Sequence, residues 1–422
     1  MSSIAVADEK PVAGARGALR LLLAINLFNY IDRYILAAVE PEIRRAFFAP
    51  GDPTAMAKTG SLATAFLVSY MLAAPVFGWI ADRTSRWKIV GLSVALWSVA
   101  TAGSGLAATF TILFATRLFV GLGEAGYGPC APTIIADFFP LKVRGRNLAY
   151  FYLAIPVGSA LGFALGGKIS GFFHSWRYPF YLMAAPGIAL AIACFFMREA
   201  PRTSLADHEI RFSFAPYFQL LKNRSYLLNT LAMTAMTFAI GGLSFWIPSY
   251  IFEFRHQPDL GAINLHFGVI TVAAGLIATL LGGVLGDRLR ERYDSAYFLL
   301  SGVAMSLSFP FVIAFLYVPF PWAWICIFFA VFFLFLNTGP SNTALANVTH
   351  PSVRATAFAL NIFIIHAAGD ALSPPLIGAI AGRWNMNAGF LAVSAAILLA
   401  SVLWFRAAPH LPGDTARALD VP

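Results

Sequence analysis

The chain has 422 residues, 59% of them hydrophobic and only 12% charged, with a mean hydropathy of +0.72 and a formal net charge of +9. That composition excludes a soluble globular domain and implies an integral membrane protein. The basic surplus does not point to nucleic acid, because the Lys and Arg residues sit in short loops on alternate sides of the apolar runs and form no single patch.

Apolar stretches of about 20 residues, the length that crosses about 30 Å of hydrocarbon at about 1.5 Å per residue, recur along the whole chain. They lie near 18–39, 59–82, 89–108, 111–136, 145–173, 178–198, 226–253, 264–287, 296–318, 321–346, 355–382 and 386–406, which predicts twelve transmembrane helices. Most loop cations, among them Arg83, Arg86, Lys88, Lys142, Arg144, Arg146, Arg288 and Arg290, fall on one side with the N-terminus. Both termini are therefore expected in the cytoplasm, and the expected location is the bacterial inner (cell) membrane. The N-terminal apolar run is long and lacks a small-residue cleavage site, unlike a removed signal. Cys130, Cys194 and Cys326 all fall inside spans, as small core residues do.

The first span contains "INLFNYIDRYILAAVEP" (Ile25 to Pro41), with Asp32 and Arg33 side by side in its interior. A charge near the bilayer centre costs about 3 kcal/mol on insertion scales, so each should face a cavity or a partner. Successive helical residues point about 100° apart, so Asp32 and Arg33 cannot face the same neighbour, and Asn29 lies closer to the face of Arg33. The second span ends in "GWIADRTSRWK" (Gly78 to Lys88), with Gly78, Asp82, Arg83 and Arg86. The fourth is "RLFVGLGEAGYGPCAPTIIADFFP" (Arg117 to Pro140), with Arg117, Glu124, Tyr127 and Asp137. Counted from the helix ends, Asp32 and Arg117 lie at the same depth, and Glu124 lies two turns deeper, near the midplane. Asp32 and Glu124 are the candidate proton-coupling residues, since a carboxylate can exist charged or neutral. Arg117 is a fixed cation able to hold a phosphate or carboxylate, and with Arg33, Asn29 and Tyr127 it forms the candidate substrate contacts of this half. A buried ion pair that merely sets helix register is the plainer alternative.

Residues 199–225 form the longest connection, a linker whose "FSFAPYFQLL" suggests a short helix on the membrane surface. Beyond it the pattern repeats. "GVLGDRLRERY" (Gly283 to Tyr293), with Asp287 and Arg288, answers the end of the second span. "GDALSPPLIGAIAG" (Gly369 to Gly382) matches "GSALGFALGGKISG" (Gly158 to Gly171) at seven of fourteen positions, and "PSVRAT" answers "PLKVRGR". The expected organisation is a six-helix bundle over 1–198, the linker, and a second bundle over 226–422. Ionisable residues are scarce in the second half, where His366, Asp370 and Trp246 are the candidate substrate contacts. Asp370 precedes the Pro374-Pro375 break, where freed backbone groups can line a cavity.

The Gly-x-x-x-Asp-Arg-x-x-Arg pattern of Gly78, Asp82, Arg83 and Arg86, half repeated by Gly283, Asp287 and Arg288, resembles the signature of the major facilitator superfamily. "NLFNYIDRY" together with the fourth span resembles its Spinster branch. The resemblance implies an all-α membrane protein with two pseudo-symmetric six-helix bundles (the major facilitator fold). It also implies alternating access about a midplane site and substrates such as sphingosine phosphate or lysophospholipids. It implies as well a gate in which Asp82 faces the N-terminus of the eleventh helix and Arg86 pairs with Asp137; Asp287 and Arg288 are the second copy, weakened by Glu291 and Asn347. The expected activity is proton-coupled transport of an amphiphilic molecule by a monomer among membrane lipids, without cofactor. A small organic anion is the alternative substrate. A lipid-modifying enzyme lacks its motifs: there is no His-Glu-x-x-His, nucleophile elbow or phosphate loop.

Overall fold

A computed structural model describes residues 11–200, 220–350 and 353–419, without the side chains of Asp82, Leu141, Lys142, Ala355 and Leu419. Most of the expected surface helix of the linker lies outside these residues, as do Pro351 and Ser352 and the side chain of Asp82. Every regular element among the described residues is helical, because a chain this apolar satisfies its backbone polar groups in lipid by hydrogen bonds within each segment.

Two compact units are present among the described residues, one made of 11–39 and 65–200 and the other of 40–64 and 220–419. In the first lie α1 (Ala15–Ala38), α4 (Arg86–Leu106), α5 (Phe110–Phe138), α6 (Leu141–Phe173) and α7 (Tyr178–Phe195). The short α2 (Glu40–Phe47) belongs to the second unit, and α3 (Ala55–Arg83) contributes its first ten residues to the second and the remainder to the first. The second unit continues with α8 (Arg224–Ser249), α9 (Leu260–Arg290), α10 (Ala296–Tyr317), α11 (Trp322–Leu336) and α12 (Thr338–Asn347). It is completed by α13 (Arg354–Ile365), a π-helical turn (His366–Asp370), α14 (Ser373–Arg383), α15 (Met386–Ala407) and α16 (Leu411–Leu419).

Eleven helical spans among the described residues are long and apolar enough to cross a membrane. The α5 helix, 29 residues long, is comparable in length to these spans, and its Arg117, Glu124 and Asp137 interrupt its apolar run. Polar N-caps open several of these helices where the first amides would be unpaired: Thr109, Asn223, Asp259 and Asn385 each accept an amide hydrogen bond three residues on.

The sequence duplication reappears as packing. In the first unit α1 lies on α6 and α7, and α4 lies between α5 and α7. In the second, α8 lies on α15 and on the segment from α13 to α14, and α10 lies between α11 and α15. Small residues permit the closest of these approaches. A Cβ on Gly158, Gly162 or Gly166 of α6 would stand 2.7 or 2.8 Å from atoms of Tyr30, Ile31 or Ala38 of α1. The every-fourth-residue glycines thus seat α1, and with it Asp32 and Arg33, against α6.

Candidate functional site

The enclosed face of α1 runs through Leu22, Ile25, Asn29 and Asp32, spaced three and four residues apart. Asp32 Oδ2 accepts a hydrogen bond from the Thr101 hydroxyl of α4 at 2.9 Å and lies 3.9 Å from the Arg117 guanidinium of α5. Arg117 in turn donates to Ser104 Oγ at 2.9 Å, and Ser104 is 2.8 Å from the Thr116 hydroxyl. Both ions are buried, yet Asp32 Oδ1 and Arg117 Nε make no hydrogen bond among the described residues. The pair is loose, with hydroxyls supporting each member separately.

Arg33 turns the other way. Its Nε and Nη2 lie 2.7 and 2.6 Å from the same oxygen, Glu124 Oε2, while Oε1 makes no hydrogen bond among the described residues. Asn29 is buried beside this carboxylate. The rings of Phe66, Tyr30 and Tyr70 surround the guanidinium at 4.8, 4.9 and 5.5 Å. Two neighbouring charges on α1 therefore meet two residues of α5 that are seven apart, with acid and base reversed. The four charges sum to zero, as burial in hydrocarbon demands.

The other predicted contacts are placed differently. Tyr127 is buried, donates its hydroxyl to the Leu22 carbonyl at 2.9 Å and meets Trp97 edge to face, which makes it a brace between α5 and α1. Trp246 is 0% exposed and donates its indole N–H to the Pro374 carbonyl at 2.9 Å, so its ring has no face open to a ligand. His366 and Asp370 come together through the π-helical turn, with Nδ1 2.9 Å from Oδ2, and both remain partly exposed. Gly241 of α8 makes room for them, since a Cβ there would stand 2.6 Å from that of Asp370.

Among the predicted gating residues, Arg86 forms an ion pair with Asp137. Arg83 folds back on its own helix, donating to the Trp79 carbonyl at 3.1 Å and lying 4.3 Å over its ring. Gly78 has only Pro129 near its α-carbon face among the described residues. In the second unit Asp287 accepts a hydrogen bond from the Tyr297 hydroxyl at 3.0 Å, and Arg288 is exposed.

Sequence reasoning missed two groups. Phe66, Tyr30 and Tyr70 are inconspicuous in a chain with 39 Phe and 14 Tyr. Glu40, buried at 1% exposure, accepts from Arg44 Nε at 2.9 Å and from the Thr59 and Ser249 hydroxyls at 2.7 Å each, and Arg44 continues to Glu253. The visible signal was Glu40 four residues before Arg44, a helical ion-pair spacing.

The Major Facilitator Superfamily model matches residues 22–369. Protein spinster homolog 3 of Danio rerio is 36% identical over 385 residues, covering 86% of this chain and 76% of the relative. A sphingosine-1-phosphate transporter of the same organism is 34% identical over 376 residues, covering 84% and 74%. Among solved structures, a bacterial homologue of the human lysosomal transporter Spinster superposes with a TM-score of 0.81 at 21% identity, covering 98% of this chain and all of that one. A D-xylose–proton symporter does so with a TM-score of 0.75 at 16% identity, covering 94% and 98%. With eleven apolar spans among the described residues, a duplicated packing pattern and these relatives, the chain is a membrane transporter and not an enzyme, and it belongs to the Spinster branch of the major facilitator superfamily.

Proposed function

We propose that this chain is a proton-coupled secondary active transporter of an amphiphilic, lipid-like substrate of lysophospholipid or sphingolipid type, working by alternating access. The observation that carries the reading is the pair of oppositely directed ion pairs buried in the first unit, Asp32 with Arg117 and Arg33 with Glu124. An anionic group that draws a guanidinium away leaves a carboxylate enclosed in hydrocarbon, and a proton then cancels that uncompensated charge. Release of the substrate returns the cation and expels the proton. The Asp32 pair, at 3.9 Å and with open hydrogen-bonding atoms, is the easier of the two to part.

The relative described as a sphingosine-1-phosphate transporter supports a lipid-like substrate. The reading includes both termini in the cytoplasm of a bacterial inner membrane, a monomer, and a cytoplasmic gate built on Arg86 and Asp137. Proteoliposome uptake of a labelled lysophospholipid, run beside a labelled dicarboxylate with and without an imposed pH gradient, tests it. Gradient-driven accumulation of the lipid is expected. Accumulation of the dicarboxylate alone would move the substrate to small organic anions, and lipid movement indifferent to the gradient would remove the proton from the mechanism.

A further inference from the structure

Three segments of the second unit meet beyond the ends of its helical spans: the residues entering α8, the turn after α12 and the amphipathic α16. Between them lies a cavity of about 310 Å³ lined by Lys222, Asn223, Val348, His350, Asp414 and Arg417. Its walls are tied together. Asn223 caps α8 through Oδ1 and donates Nδ2 to the Val348 carbonyl at 3.0 Å, which joins two of the segments. The buried stripe of α16, Leu411, Asp414 and Ala418, recurs at three and four residues and carries a carboxylate into the contact. Asp414, 3% exposed, accepts the Ser225 amide in the first turn of α8 at 2.9 Å on Oδ2 and Arg417 Nη2 at 2.5 Å on Oδ1. Both of its oxygens are committed, one of them to a helix end that carries partial positive charge.

The cavity holds a surplus of positive charge. Lys222 and Arg417 bring two positive charges and Asp414 one negative, so with the His350 ring counted as neutral one charge stays uncompensated beside the α8 N-terminus. Lys222 is exposed and has no ion-pair partner among the described residues. From here α8 runs into the apolar layer with Arg224, Leu227 and Leu231, three and four residues apart on one face, all exposed. Cations at a helix end with exposed leucines along the same helix match a molecule that has a charged head and an apolar chain.

We propose that this cavity binds the phosphate of an acidic phospholipid, with Lys222 and Arg417 holding the anion and the face of Leu227 and Leu231 taking an acyl chain. A phosphodiester carries the single negative charge that the surplus calls for. A zwitterionic head brings a cation of its own and gains less. Asp414 is a positioning residue, since it holds Arg417 at the rim and fixes α16 against α8.

The test is equilibrium binding of labelled phosphatidylglycerol and phosphatidylcholine of identical acyl chains to the full-length protein in maltoside micelles. The parent should bind the acidic lipid at least about tenfold more tightly. Lys222→Gln and Arg417→Gln, both at exposed side chains, should each lower that affinity about fivefold, whereas Arg292→Gln, at an exposed cation beyond α9, should hold it within about twofold. Unchanged affinity in both cavity variants, or an equal loss from Arg292→Gln, would overturn the proposal, the second by showing attraction to surface charge in general. Millimolar inorganic phosphate should leave the lipid in place as well as chloride of the same ionic strength does, because neither ion contacts the leucines. Displacement by phosphate alone would overturn the lipid assignment in favour of a soluble phosphate.

Discussion

Asp32 and Arg33 are joined by one peptide bond yet meet partners two helical turns apart, because 100° of helical rotation turns one toward Arg117 and the other toward Glu124. Each carboxylate is thus tied to a separate cation, and under the proposed coupling each exchanges that cation for a proton. Asp32→Asn and Glu124→Gln should therefore abolish accumulation driven by a pH gradient, while counterflow of substrate continues; parent-like accumulation in both variants would make these residues structural. Arg117→Lys should impair transport more than the retained charge suggests. An ammonium cannot reach Ser104 and Asp32 from one planar group, and a contact of that kind is worth about 1.5–3 kcal/mol, or more than tenfold in substrate affinity. An apparent affinity within about twofold of the parent would count against it. Helical depth alone brought Asp32 level with Arg117, since that needs only the rise per residue. The Arg33–Glu124 contact was harder to read, because a long flexible side chain spans the difference in depth.

Helix contacts in this chain are set by where side chains are missing. Gly162 of α6 lies under the Ile31 carbonyl and Tyr34, and a Cβ there would stand 2.7 Å from that carbonyl oxygen, so Gly162→Leu must push α1 away or expel the side chain. Overpacking of this kind costs about 1–3 kcal/mol. A lowered thermal midpoint of the purified protein is expected, whereas Gly171→Leu, at a position with open space, should leave it near the parent value. A second element-scale device is the attachment of α2 and the start of α3 within the second unit. There Glu40 gathers Arg44, Thr59 and Ser249. Glu40→Ala leaves a cation and two hydroxyls without their shared acceptor, a loss of about 3 kcal/mol for a buried pair broken on one side. Glu40→Gln keeps an acceptor and should lose less; equal midpoints for both variants and the parent would show that the cluster adds nothing to stability. The periodic glycines were legible as a packing device. Of the Glu40 cluster only the Arg44 spacing was legible, because the two hydroxyl partners come from residues 19 and 209 positions away.

At the scale of the whole molecule, duplication was legible because three motifs recur in the same order, and repeated sequence folds into repeated packing. What repetition hides is where the copies have diverged. Arg86 and Asp137 form a partly buried ion pair in the first unit. In the second, Asn347 stands where Asp137 would, Asp287 accepts from the Tyr297 hydroxyl, and Arg290 pairs with Asp294 of its own loop. If gating depends on charge pairs at these helix ends, the first unit must supply most of it. Arg86→Gln should therefore shift the population toward the state open on that side, with Asp287→Asn producing a smaller shift. A partly exposed pair contributes on the order of 1 kcal/mol, so the change should be about fivefold in the ratio of states and not an all-or-none switch. Spin-label distances between the Arg86 end of α4 and the Arg290 end of α9 would report it. An equal or larger shift from Asp287→Asn would mean that the hydroxyl-bound carboxylate, and not the ion pair, governs the equilibrium.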